Sequence, residues 1–553
     1  MMRKARQAVS INLDGSLERS SPWKPLRNQR LLDLSKVGGA LLYLFVTVSV
    51  GAQELRIGLA AAPTSFDPHF HAHAPSLALH QHVFESLIER DASANLIPSL
   101  AESWSPLADG LGWEVVLDRR ARFSTGEPVR SADVAASLAR VATIPSSPGR
   151  HQLDLTSVVV LDELRLQLRT ASPSPLLPTL LPAVLIVPHQ IAQNAATADF
   201  NRLFAAVGSG PYRVVGYRNG EGATLERNDS WWRGIAKWNR VTFKVLSADA
   251  SRVAALRSGD VDAVEAVPPR DFQILARDSR FAVHRRTGFR LLFLVMDQAR
   301  AISPDIRAPD GRNLPVNPLQ DRRVRQALSS AINRDALVHR IMDGQATSAG
   351  QFLPDGAPGY DAAIAPDKFE PEEARRLLRD AGWPDGLRII LAGPSDRYVN
   401  DDRVLQAVAQ MWERIGIKTE VDAVPSGVFF SRLARGDFSA ALYGWSHASG
   451  EPNTYFEGLL ATPDRRRGRG AANFLSYSNA ALDQIIERAL VTTDQSQRLD
   501  LWSMATKAAF RDQIALIPLY HQVNTWATKR DLNYAARADE FTLADQFYTS
   551  PPP

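Results

Sequence analysis

Five of the 11 histidines in this sequence, His69, His71, His73, His80 and His82, fall within fourteen positions. On an extended segment, alternating His69-x-His71-x-His73 puts three imidazoles on one side, a donor set suited to zinc, copper or nickel. A polar loop running into a helix accounts for the same spacing without metal. His80 is expected to begin a helix with Leu79, Val83, Phe84, Leu87 and Ile88 as its apolar stripe. His80 and His82, two apart, do not share a face of it. A metal-dependent hydrolase would need further ligands and a carboxylate base. The sequence holds no His-Glu-x-x-His, no Gly-x-Ser-x-Gly and no Gly-x-x-x-x-Gly-Lys phosphate loop. Gly208-Ser209-Gly210-Pro211 runs into Tyr212–Val215, an expected strand, so it lacks the helix N-terminus of a phosphate site. No covalent chemistry and no cofactor are expected; a secreted hydrolase with His69, His71 and His73 as metal ligands is the alternative.

A second kind of chemistry needs only shape and hydrogen bonds. Aromatic and short polar residues cluster in Gly444-Trp445-Ser446-His447, Ser395-Asp396-Arg397-Tyr398 and Ser65-Phe66, each expected to follow a strand. Open α/β sheets bind ligands beyond the carboxyl ends of their strands. Rings supply contact area there, while hydroxyl, imidazole and backbone groups orient a small molecule. Trp445 by itself reads equally as a core residue.

The elements that would position these loops follow from hydrophobic spacing. Pro371 and an acidic first turn precede a helix from Glu372 to Ala381, with Gly382 able to cap it. Leu387–Leu391 is a β-rich run. Val404, Val408, Met411, Trp412 and Ile415 recur at helical spacing through Asp402–Ile415. Ile417–Val424 alternates as a strand, Val428–Arg435 is helical, and Ala440–Trp445 is apolar and extended. Arg252–Ser258, Gly259 and Val261–Val267 repeat the helix–Gly–strand unit, and Trp113–Leu117 is an expected antiparallel strand. The fold class is α/β with at least two lobes.

Composition narrows the function classes. The chain has 553 residues, long enough for several domains, and no cysteine. That excludes disulfides, thiolate metal sites, thiol nucleophiles and lipid attachment through a cysteine. Residues 1–36 carry eight basic and three acidic side chains, followed by the apolar run Val37–Val50 and Gly51-Ala52. This is the pattern of a secretory signal cleaved after Ala52, with an uncleaved anchor or a buried helix as alternatives. The overall charge of +4 becomes −1 once residues 1–52 are removed. The basic Arg465-Arg466-Arg467-x-Arg469 stretch has no interleaved aromatics, so no nucleic-acid partner is expected.

The same residues carry a family resemblance. Ser65-Phe66-Asp67-Pro68-His69 with Phe84-Glu85-Ser86-Leu87 resembles the opening of the family 5 extracellular solute-binding proteins of ABC importers, the dipeptide and oligopeptide binders among them. Pro98–Trp104 with Trp113, Phe123–Val129, Gly208–Tyr212, Arg325–Arg334, Ala381–Pro384 and Gly444-Trp445 follow in the family's order. The resemblance implies a two-lobed periplasmic-binding-protein clamshell. Residues 53–89, 207–290 and 514–553 would form the base lobe, 90–206 an extra subdomain, and 291–513 the second lobe. Leu291–Asp297 and Ile514–Tyr520 would be the hinge strands. It also implies a monomer, free in the periplasm of a two-membrane bacterium, that passes a peptide or similar small polar solute to a permease and its ATPases. Phe66, His69, Tyr212, Arg397, Tyr398, Trp445, Ser446, His447 and Glu451 would line the cleft. Many relatives hold a peptide's ammonium with an aspartate at the position of Ala448. Glu451 or Asp67 is the expected substitute, and a nickel chelate or haem is the alternative ligand. Arg397 would hold a ligand carboxylate.

Overall fold

Helix–strand alternation in the second half of the chain builds a sheet whose strands end together. The computed structural model describes residues 54–70, 74–144, 147, 153, 155–446 and 450–549. The expected signal, His71, His73, His447 and Ala448 lie outside the described residues. Among the described residues no helix is long and apolar enough to cross a membrane.

Twelve strands form one sheet: β1 Glu54–Leu59, β2 Tyr212–Arg218, β3 Gly222–Arg227, β4 Arg240–Val245, β5 Ala263–Glu265, β6 Phe281–Met296, β7 Ile306–Arg307, β8 Ala346–Ser348, β9 Leu387–Pro394, β10 Ile417–Val424, β11 Ala440–Trp445 and β12 Ile517–Lys529. Their order is β7-β9-β11-β6-β12-β5-β1-β4-β3-β2, with β8 on β12 and β10 on β9. The two long strands β6 and β12 run antiparallel and join the two lobes of the clamshell. Their register breaks between Thr287 and Leu291 and again between Leu292 and Phe293.

Each lobe has its own core. On the second lobe, apolar clusters cover both faces of the sheet, one around Phe293, Tyr455 and Trp502, the other around Leu294, Val404 and Trp412. Helix Asp401–Glu413 buries the Val404, Val408 and Trp412 stripe that its spacing predicts, and the Trp412 indole donates to the Leu328 carbonyl at 2.9 Å. Truncating a fully buried ring of this kind costs about 3–5 kcal/mol. The first lobe packs Ile57, Phe66, Phe84 and Tyr212 with Trp526, Tyr534 and Phe547 from the C-terminal segment. A separate core spanning Leu87 to Ile186 covers an antiparallel sheet of Ala101–Pro106, Gly112–Leu117, Arg165–Thr170 and Leu155–Val160.

One expected element is corrected. The helix expected to begin at His80 instead ends there, spanning Ala74–His80. The His82 imidazole bonds the Ala78 carbonyl at 2.8 Å, satisfying a C-terminal acceptor. Leu87 and Ile88 therefore pack in the subdomain core rather than on a helix stripe. The strands that contain the expected hinge residues run beyond them, over Phe281–Met296 and Ile517–Lys529. Ile514 to Tyr520 packs in the second lobe, and β12 continues past it to pair with β5 of the first lobe.

Candidate functional site

Parallel strands β9, β10 and β11 end on the same edge, and the ladder between β11 and the antiparallel β6 starts there with Leu291 opposite Trp445. The loops Ser395–Asn400 and Ser446 onward therefore emerge beside Arg290. This edge holds Arg397, Tyr398, Trp445 and Ser446 together, as their spacing after strands suggests.

Local geometry fixes the Arg397 loop. The Asp401 carboxylate accepts the backbone N–H groups of Arg397 and Tyr398 at 2.9 and 3.0 Å. The Tyr398 hydroxyl accepts from the Gly444 N–H at 2.9 Å, tying the loop to the end of β11. A Cβ at Gly444 would sit 2.8 Å from the Tyr398 ring, so only glycine lets the ring approach this closely. The Arg397 guanidinium lies over the Tyr398 ring, with 5.4 Å to its centroid. It is solvent-accessible and has no hydrogen-bond or ion-pair partner among the described residues.

Arg290 and Glu540 complete the electrostatics. Arg290 donates to the Glu540 carboxylate at 2.5 Å, and both are mostly buried. Burial lowers the Arg290 guanidinium most, but the Glu540 charge and hydrogen bond together with the Tyr398 and Tyr455 phenols outweigh it and hold its pKa above the usual value. Arg397 goes the other way: surrounding protein, then the like charge of Arg290, pull it down. Two cations thus face one anion, and a ligand carboxylate would balance the remainder. Glu540 adopts a left-handed φ of 64°, backbone strain of a kind found where a side chain must be aimed. Tyr443 stacks edge-on to Trp445 at 6.2 Å, and burial raises its phenol.

Other expected residues lie elsewhere. Phe66, His69 and Tyr212 are side chains of the first-lobe interior, at 0, 3 and 1% exposure. The His69 Nε2 bonds the Leu185 carbonyl at 2.7 Å and its Nδ1 accepts from Arg140 at 3.0 Å. Burial drives its imidazole down to about 4. With both nitrogens engaged, His69 is not placed to ligate a metal with His71 and His73. Asp67 takes two Arg140 bonds at 2.7 Å and one from Thr197 at 2.6 Å. Burial alone would raise its carboxyl; these bonds outweigh it and hold it low. Glu451 is likewise held by Arg498 and by the Trp502 indole N–H at 2.9 Å. Neither carboxylate is left to meet a ligand ammonium. Arg290 and Glu540 were not foreseen; a lone arginine heading the apolar run Leu291–Met296 was the available signal for the first, and nothing marks the second.

The model of the bacterial extracellular solute-binding proteins, family 5, matches residues 95–466. Glutathione-binding protein GsiB of Pectobacterium atrosepticum is 26% identical over 474 residues, covering 83% of this chain and 87% of the relative. Heme-binding protein A of Haemophilus influenzae is 24% identical, covering 84% and 86%. The Helicobacter pylori periplasmic binding protein DppA, solved with the peptide STSA, superposes with a TM-score of 0.74 at 18% identity, covering 90% of this chain and 98% of that one. With two thirds of its length matched by the family model, the chain belongs to the family 5 bacterial extracellular solute-binding proteins.

Proposed function

We propose that this protein is the periplasmic substrate-binding component of an ABC importer. It captures a peptide or similar small polar solute bearing a carboxylate between its lobes and delivers it to a membrane permease powered by ATPases. The observation that carries this reading is the Arg397 guanidinium, solvent-accessible, without a polar partner among the described residues, and held over Tyr398 at the strand ends. Relatives named for glutathione and haem are consistent with it, since both molecules carry carboxylates. Binding would stabilise the closed lobes through contacts made only in that state. Trp445, Ser446 and His447 complete the proposed cleft.

Native mass spectrometry of protein purified without refolding tests the reading directly, with a retained carboxylate solute as the expected result. Arg397→Gln should weaken that solute's binding at least tenfold, since charge-assisted hydrogen bonds contribute about 1.5–3 kcal/mol. Unchanged affinity would remove Arg397 from the site.

A further inference from the structure

The helix that ends at the root of β12 is capped from another helix. Gln495–Lys507 continues as a wider turn, Ala508–Asp512, and the chain then leads into β12. The last carbonyls of a helix have no partner within it. Here the exposed Arg322 donates to the Arg511 and Asp512 carbonyls, each at 2.7 Å. Arg325 is 4% exposed. Its Nε donates to the Gln513 and Ile514 carbonyls at 3.2 and 3.1 Å, and a terminal nitrogen donates to Gln513 again. Gln298 donates to the Ala515 carbonyl at 2.7 Å and Arg334 to the Pro518 carbonyl at 2.8 Å. Arg322 and Arg325 both lie on the helix Arg322–Ser330. Cations at a helix C-terminus are also favoured by its dipole.

The backbone here does not hold itself. Ile514 is buried and has a left-handed φ of 49°. It takes the position just past a helix end where glycine is usual, and the next N–H, of Ala515, bonds the Ala509 carbonyl at 2.8 Å. A β-branched residue in that conformation is strained. Pro518 then has no N–H to give the ladder. The register of β12 on β6 also shifts between Leu292 and Phe293, where Pro518 pairs. Side chains replace the missing ladder. All five hydrogen bonds of Arg325 among the described residues go to main-chain carbonyls, those of Leu319 and Gln320 at 2.7 and 2.9 Å completing the set. Burial pulls its guanidinium down to about 10, so it stays charged at neutral pH.

We propose that Arg325 is a positioning residue for lobe closure. By capping the helix end and holding the left-handed turn at Ile514, it fixes the direction in which β12 leaves the second lobe. That direction sets the angle between the lobes before any solute arrives. The inference rests on the proposed capture of a solute between the lobes and adds a determinant of it that touches no solute. Without the cap, Ile514 relaxes out of the left-handed region and β12 departs along another line. A solute that needs closed lobes then binds only the fraction of molecules whose lobes can meet, and its apparent affinity falls by that fraction.

Two spin labels read that angle. The chain has no cysteine, so Arg213→Cys on β2 and Lys418→Cys on β10 give the full chain one label on each lobe. Both positions are exposed, toward opposite ends of the sheet. Pulsed electron-spin distance measurement on the unliganded protein should give one narrow distribution. Arg325→Met should shift or broaden it. The same variant should weaken binding of a dipeptide library about fivefold or more, by calorimetry below the melting range. Adding Ile514→Gly should return the distribution toward that of the wild type, because glycine takes the left-handed turn without strain. Stability should nonetheless fall further, since a buried side chain is lost. A lower melting temperature with an unchanged distribution would make Arg325 a structural residue only and overturn the inference. So would a shift that Ile514→Gly does not reverse. Where Arg325→Met fails to fold, Arg325→Lys, which keeps the charge and loses the fork, is read in the same way. If no dipeptide binds the wild type, the peptide reading of the solute fails, and the distances alone still decide the role of Arg325.

Discussion

Arg140 and Asp67 form an ion pair sealed from water, with side chains 6% and 0% exposed. Removing one partner leaves an uncompensated buried charge, which typically costs 3–5 kcal/mol. Arg140→Met should therefore lower the unfolding free energy obtained from urea titration by about that much, and adding Asp67→Asn should recover more than half of it. Glu85 behaves differently. Burial, then the nearby Glu89 charge, pushes its carboxyl up to about 7 from 4.5, although the Trp232 indole donates to it at 2.8 Å and Arg233 lies close. Between about pH 4.5 and 7 the folded state holds a proton that the unfolded chain has released, so this group's stabilisation fades as pH rises through that window. Buried His69 has the opposite sign. Its folded value near 4 lies below the ordinary 6.5, so its contribution is lost as pH falls toward 4. Glu85→Gln should flatten the pH 4.5–7 limb of a thermal-melt profile and leave the acid limb in place; an unchanged upper limb would show that Glu85 ionises normally.

At the scale of elements, Gly444 is the tightest joint of the site. A methyl there meets both the Tyr398 ring and the Leu292 side chain within 3.0 Å. Gly444→Ala should displace Tyr398 and with it Arg397, costing about 1–3 kcal/mol of stability as overpacking does. Solute affinity should fall by an order of magnitude, measured by calorimetry beside the melt. Much of this architecture was legible in the sequence. Ile417–Val424 and Ala440–Trp445 are strands with the expected bounds, and Pro371–Asp380 and Asp401–Glu413 lie within a residue or two of their expected spans. Their periodicities are strong, and glycine or proline marks their ends. The site was legible only where loops follow such strands, as with Arg397, Tyr398 and Trp445. Phe66, His69 and Tyr212 sit among conspicuous motif residues, yet their role in the structure is packing, and no local pattern separates a buried ring from one lining a cleft. Glu540 reaches Arg290 across 250 positions, and long-range pairing of this kind leaves no periodic trace.

At the scale of the whole molecule, among the described residues β6 and β12, with their break in register at Thr287–Leu291, carry the sheet from one lobe to the other. Closure about that break predicts a smaller radius of gyration on binding. Small-angle scattering with and without a tight-binding solute should show it; identical curves would mean that the solute binds without lobe movement. The same connectivity bears on biosynthesis. The first-lobe core closes only when Trp526, Tyr534 and Phe547 pack against residues from Leu55 to Ala263. A nascent chain must therefore grow past 500 residues before the core beneath its earliest strand is complete, and contacts so distant in sequence form slowly. Throughout that interval the first-lobe core lacks the rings that fill it.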